Sequence, residues 1–333
     1  MAAAAVLLLG TTALFVYLRD PLQLFRRASG TPNFYDVAEF QIPGIARHYP
    51  YDAVVAGTSI SNNFRSADLA AAFGWDAMNL AIAGATIPEQ RAVLDVALAT
   101  GKVRHVFWGL DPFAFRTGGG RPFPYYLYRD PGWRTAPYFV NLGALMHGLT
   151  TIALPDAKRL SLAQWNDKRN WDRQYTYGRA QVLTAWKHRH VLGPTSLPET
   201  SAAADQAVDD SVSSLVRLYP GVRFHLVLPP YSILYAKFLV DERPAEFEAG
   251  CRLDRAIIER AGALPNASVS SFREAEEITR DLEAFKDLQH FSGDVSRQIV
   301  RDVAAGRRRV GEPFAQVCAR IRTAAAAYQI PPR

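Results

Sequence analysis

Cysteine appears only twice in this chain of 333 residues, at Cys251 and Cys318. Two thiols build no disulfide framework, and their spacing fits no zinc pattern. Two buried thiols are the simplest expectation; pairing would need an extracytoplasmic, oxidising setting. Other signatures are missing outright. The chain has no His-Glu-x-x-His and no Cys-x-x-Cys, so no metal site is expected. It has no Gly-x-Gly-x-x-Gly and no Walker-type loop, so no cofactor is expected either. Lysine is far scarcer than arginine, and the net charge of +6 is scattered. The one basic run, Arg307-Arg308-Arg309, is not interleaved with aromatics, which argues against a nucleic-acid partner. It reads as a solvated helix face or a contact with anionic lipid. No internal repeat is present.

The N-terminal stretch from Ala2 to Leu18 is uninterrupted by charge and rich in Ala, Val and Leu. A bilayer-crossing helix needs roughly 20 apolar residues, with a lower limit of about 17. No basic residue precedes the stretch, as a cleaved signal peptide would require, so 1–20 is read as a transmembrane anchor and the lipid bilayer as a partner. Arg19, Arg26 and Arg27 follow it, which by the positive-inside rule would leave the rest of the chain in the cytoplasm. Residues 21–50, weakly periodic and containing prolines and aromatics, read as a linker packing on the domain that occupies 51–333.

Within that domain, short β-rich runs alternate with helical patterns. Strands are expected at 52–56, 75–82, 103–110, 223–228 and 267–272. Helices are expected at 61–73, 87–99, 202–218, 233–261 with a break near Pro244, 294–305 and 312–328. The alternation predicts an α/β fold with a mainly parallel sheet covered on both faces. From about 112 to 200 it breaks down. Gly118-Gly119-Gly120, most simply a turn, and several prolines punctuate this part, and only 140–154 and 161–186 have a helical pattern. It reads as a long insertion after the third strand, of the kind that is often functional.

Active groups of parallel sheets gather at the carboxyl ends of the strands. Ser59, Gly84 and Asp111 each follow an expected strand. Ser59 lies in the small-residue turn Gly57-Thr58-Ser59; the bland alternative is a serine that caps a helix. Far downstream stands Asp287-Leu288-Gln289-His290. A serine hydroxyl needs a base within reach, and a histidine can be that base if a carboxylate fixes its tautomer. Ser59 is therefore the candidate nucleophile, His290 the candidate base and Asp287 its orienting acid. His188 and His190, in a basic polar stretch, read as exposed, and His225, inside a strand, as structural.

These blocks, in this order, resemble SGNH/GDSL-type hydrolases. Gly57-Thr58-Ser59 stands where the family has Gly-Asp-Ser, Asn79-Leu80-Ala81-Ile82-Ala83-Gly84 matches its second block, and Asp287 with His290 matches its Asp-x-x-His. The third block, usually Gly-x-Asn-Asp, is here Gly109-Leu110-Asp111-Pro112, without the asparagine. The similarity spans roughly 51–301 and is greatest to membrane-anchored bacterial polysaccharide O-acyltransferase and DltD-like proteins. It implies a three-layer α/β/α, flavodoxin-like fold with an extracytoplasmic (periplasmic) domain. It also implies an oxyanion hole from the backbone amides of Ser59 and Gly84, with Asp111 at the third donor position. An ionised Asp111 cannot donate, and Asn62 or Asn63 is the candidate substitute. The implied activity is ester hydrolysis or O-acyl transfer, with an ester or glycan substrate and a membrane-bound acyl-donor partner. Asp111 keeps a rival open: a non-catalytic scaffold of a cell-surface polymer assembly complex.

Overall fold

The computed structural model describes residues 2–29, 34–118, 122–129, 132–153, 161–168, 170–310 and 314–331. Residues 119, 120, 154, 169, 312 and 313, which belong to the turn and helices expected above, lie outside the described residues. The chain forms two compact units. One comprises Met1–Tyr51, Ala92–Lys102 and Arg121–Arg169; the other comprises Asp52–Arg91, Val103–Gly120 and Asn170–Arg333.

The second unit is α/β and contains a five-stranded parallel sheet of β1 (Ala53–Ala56), β2 (Ala77–Asn79), β3 (His105–Gly109), β4 (Arg223–Leu228) and β5 (Ala267–Ser271). The spatial order is β2-β1-β3-β4-β5. The chain leaves β1 in one direction to make β2, then makes every later strand on the other side. This reversal, between β1 and β3, is where a parallel sheet opens a crevice beyond its strand ends. The strands are short, and all but β5 (Ala-Ser-Val-Ser-Ser) are mostly apolar: β1 is Ala-Val-Val-Ala, buried throughout. Val55, Phe64, Phe107, Val227, Phe272, Phe291 and Ile299 belong to one core cluster.

Strand β2 ends at Asn79, inside the expected run of 75–82. The Asn79 side-chain amide donates to the carbonyls of Ser61, Asn62 and Phe64, and its oxygen accepts from the Ala81 amide. Beyond Asn79 the backbone still runs beside β1, the Leu80 and Ile82 amides donating to the Val55 and Gly57 oxygens, and it turns at Ala83-Gly84. The helix expected at 61–73 is a 3-10 turn, Ser59–Asn63, followed by an α-helix, Ser66–Phe73. The helix Ile87–Ala99 is as expected. The stretch 161–186 is not one helix but Leu162–Lys168, a 3-10 turn Asp172–Gln174, and Arg179–Lys187. Gly178, with φ of 130°, starts the last piece. The break at Pro244 falls between helices Ile233–Glu242 and Pro244–Ala256, with proline at the first helical position, where its missing N–H costs nothing.

The two cysteines are not free thiols. Cys251 and Cys318 form a disulfide with Cα atoms 6.1 Å apart, joining helix Pro244–Ala256 to helix Phe314–Ala327. The spacing in sequence gave no sign of this, because the two helices meet only in the folded chain.

In the first unit, helix Ala2–Arg19 is long and apolar enough to cross a membrane. Its end is fixed by Asp20, whose carboxylate accepts from the Leu24, Phe25 and Arg26 amides and the Tyr138 hydroxyl. The stretch 21–50 contains a helix, Ala38–His48, despite Pro43 within it. Gly44 is needed there: a Cβ would lie 2.1 Å from the Leu22 carbonyl oxygen.

Candidate active site

Gly57 makes the turn after β1 possible. Its φ is 138°, and a Cβ on it would meet Ser61 Oγ at 2.1 Å and the Gly109 oxygen at 2.7 Å. Only glycine accepts both constraints. The turn delivers Ser59 as the first residue of the 3-10 turn Ser59–Asn63, where its own N–H has no partner within the turn.

His290 and Asp287 arrive on a tight loop. Phe285 and Phe291 form an antiparallel bridge, and the Lys286 amide donates to the His290 oxygen at 3.0 Å. Phe285, Leu288 and Phe291 are buried in the core, which leaves Asp287 and His290 pointing the other way. Ser232 Oγ, donating to the Leu288 oxygen at 2.7 Å, ties the loop to the start of helix Ile233–Glu242.

The three candidates meet. Ser59 Oγ lies 2.9 Å from His290 Nε2, and His290 Nδ1 lies 2.9 and 3.0 Å from the Asp287 oxygens. Asp287 Oδ1 also accepts from the Gln289 and His290 amides, each at 2.8 Å, and Lys286 Nζ donates to Oδ2 at 3.1 Å. Burial opposes ionisation of Asp287. The His290 hydrogen bond and charge, the Gln289 amide and the Lys286 ammonium outweigh it and hold the carboxyl well below the usual range. An ionised Asp287 only accepts, so Nδ1 carries the imidazole proton and Nε2 presents its lone pair to Ser59.

Gly84 follows β2 with φ of 67°, and its Cα faces open space where a side chain would stand. Arg116 holds the Gly84 carbonyl through Nη2 at 2.8 Å. Asp111 is buried, and its Oδ2 accepts from Thr58 Oγ1 at 2.8 Å. Burial raises its pKa, against the Thr58 hydrogen bond and the Arg273 charge. The Thr58–Asp111 contact braces the residue before Ser59. Asn63 uses its side-chain oxygen to accept from the Asp172 amide at 3.1 Å. Asn62 is buried, and its Oδ1 has no hydrogen-bond partner among the described residues.

Two residues that the motifs do not contain complete the surroundings. Trp171 donates its indole N–H to the Ser59 carbonyl at 2.8 Å, and its ring stands edge-on to His290, centroids 5.3 Å apart. Asp172 accepts from Arg65 at 3.0 Å and from the Gly293 amide. It thereby links Arg65 to the start of the helix Gly293–Ala304. His188 and His190 are exposed, and His225 packs inside the unit against Trp75 and Phe73.

A cavity of about 350 Å³ lies beside the disulfide, lined by Pro112, Tyr231, Phe247, Arg273 and Phe314 among others. Neither Ser59 nor His290 lines it, and its buried Arg273 is already paired with Asp254 at 2.8 Å. Hydrogen-bond geometry, not cavity size, therefore marks the site. Among the described residues no group of three His, Cys, Asp or Glu is placed to hold a metal ion. No protein-family model matches the chain, and no curated protein matches it.

Proposed function

We propose that this chain is a serine-dependent acyl-ester hydrolase or O-acyltransferase of the SGNH type. In this reading the domain is a three-layer α/β/α fold, and residues of about 112–200 are an insertion after β3. The observation that carries it is the continuous chain from Ser59 Oγ through His290 to Asp287, with contacts of 2.9 Å at each link. The order and identity of the motif blocks support the same reading. The scaffold alternative expects side chains between Ser59 and His290, and direct contact weighs against it.

Ser59 Oγ attacks the ester carbonyl carbon while His290 Nε2 takes the hydroxyl proton. Asp287 stabilises the imidazolium. The carbonyl oxygen becomes an oxyanion, met by the amides of Ser59 and Gly84; each such donor is worth roughly 3 kcal/mol. Collapse expels the alcohol, which receives the proton from His290, and leaves an acyl group on Ser59. Water, or a hydroxyl of a glycan acceptor, then attacks the acyl carbon while His290 takes its proton; collapse breaks the bond between the acyl carbon and Ser59 Oγ, and His290 returns the proton to Oγ. The first outcome is hydrolysis and the second is transfer.

The same proposal places helix Ala2–Arg19 in the bilayer and the domain outside the cytoplasm. The Cys251–Cys318 disulfide favours that side, because such bonds persist in oxidising compartments. Arg19, Arg26 and Arg27 argue the other way, as noted above, and a disulfide is the more direct indicator of redox environment.

Acetyl-ester hydrolysis by the native chain, Ser59→Ala and His290→Ala tests the chemistry. Native turnover with losses of about 10³-fold or more in both variants is expected. Labelling of Ser59 by a fluorophosphonate, absent in Ser59→Ala, is the second readout and needs no acceptor. Native protein that neither turns over nor labels would overturn the proposal.

A further inference from the structure

The helix Leu142–Ala153 contains no acidic residue and no Lys or Arg. Its two faces differ. Ala144, His147 and Gly148 are buried. Leu142, Met146, Leu149 and Ile152 are 69, 53, 43 and 51% exposed. These four recur every three or four residues, so they form one stripe. A soluble helix puts that stripe into a core; here it is the outer face.

The small residues of the inner face seat the helix on the end of the proposed anchor. A Cβ on Gly148 would lie 2.9 Å from the ring of Phe15 and 3.6 Å from Pro21. Phe15 is in the last turns of helix Ala2–Arg19, and Pro21 follows its end. The helix is thus seated beside one whose own side chains, among them Leu14 and Leu18, are apolar and exposed.

The hydroxyls on the helix are already satisfied. Thr150 Oγ1 donates to the Met146 oxygen at 2.8 Å, and Thr151 Oγ1 to the Gly148 oxygen at 2.7 Å. Thr11 does the same within helix Ala2–Arg19, donating to the Leu7 and Leu8 oxygens at 2.9 Å. In water such back-bonding gains little; in hydrocarbon it hides a polar group that has no other partner.

We infer that the Leu142, Met146, Leu149 and Ile152 face lies in the bilayer, beside the end of the anchor. The inference rests on the anchor reading above. At 1.5 Å per residue the helix is about 18 Å long, too short for a core of about 30 Å. It lies in the interface with its apolar face in the acyl chains, widening the membrane contact beyond one crossing.

The test uses the full-length chain in phosphatidylcholine–phosphatidylglycerol vesicles, with one cysteine introduced at a time and labelled with a small fluorophore. Among the described residues the native cysteines are bonded to each other, so neither competes for the label. Met146→Cys and Leu149→Cys are compared with Leu8→Cys in the anchor and with Leu218→Cys, an exposed apolar position in the other unit. Lipid-borne nitroxides should quench the labels at 8, 146 and 149 at least twofold more than the label at 218, and aqueous iodide should show the reverse order. A label at 8 quenched from the lipid with those at 146 and 149 open to iodide overturns this inference and leaves the anchor standing. Labels at 146 and 149 shielded from both quenchers mean that protein covers the face, which also overturns it. If the label at 8 is open to iodide as well, the anchor reading itself fails.

Discussion

Trp171 touches both ends of the proposed proton transfer: its indole N–H holds the Ser59 carbonyl at 2.8 Å, and its ring stands edge-on to His290. Trp171→Phe keeps an aromatic ring and removes the donor. A net hydrogen bond is worth about 1 kcal/mol, so kcat/KM for an acetyl ester should fall about fivefold. Trp171→Ala loses both contacts and should cost more. Steady-state kinetics of the two variants separates the hydrogen bond from the packing.

Asp287→Asn preserves shape and removes charge. The asparagine amide can donate toward Nδ1, which favours the tautomer with the proton on Nε2, where it blocks acceptance from Ser59. Activity should fall by about 10²–10⁴-fold, less than in Ser59→Ala. Ester hydrolysis measured at several pH values checks this. A variant with native rate would mean that Asp287 has no part in the chemistry.

The disulfide closes a loop between residues 67 apart. By chain entropy that is worth about 4 kcal/mol, with about 2–4 kcal/mol the usual range. Cys251→Ser with Cys318→Ser should lower the urea midpoint accordingly, measured without reductant. Neither cysteine contacts the Ser59–His290 pair, so turnover of the folded double variant should stay within about twofold of native.

His225 lies in β4 among Trp75, Phe73 and His105, centroids 5.1, 5.6 and 6.2 Å away. Burial first, then the charge of His105, lowers its pKa to about 4. The unfolded chain binds this proton near pH 6.5 and the folded chain does not. Its contribution is therefore complete above about pH 6.5 and is lost as pH falls toward about 4, by about 3 kcal/mol in all. Urea unfolding between those pH values should give a stability that rises with pH. His225→Phe should flatten the rise.

Much of the second unit can be read from the chain, because its first four strands are short, mostly apolar runs. The site is legible for a related reason. Asp287 and His290 are three residues apart, so the loop between them is a local signal, and Gly57 marks the turn before Ser59. What could not be read depends on distant partners. Trp171 and Asp172 meet Ser59 and Asn63 across more than a hundred positions. The Cys251–Cys318 bond likewise depends on a tertiary contact. Helix Ala38–His48 is hidden by Pro43 and Gly44, both poor helix formers. There Gly44 is chosen for close approach to Leu22, and packing overrides propensity.

Ser59 and His290 are separated by 231 positions. A ribosome therefore makes the proposed nucleophile long before the proposed base. On the proposed chemistry the serine is an ordinary alcohol until the loop between Phe285 and Phe291 docks. A chain truncated before that loop should then be chemically silent, and a reactive serine would report that the loop has folded into place.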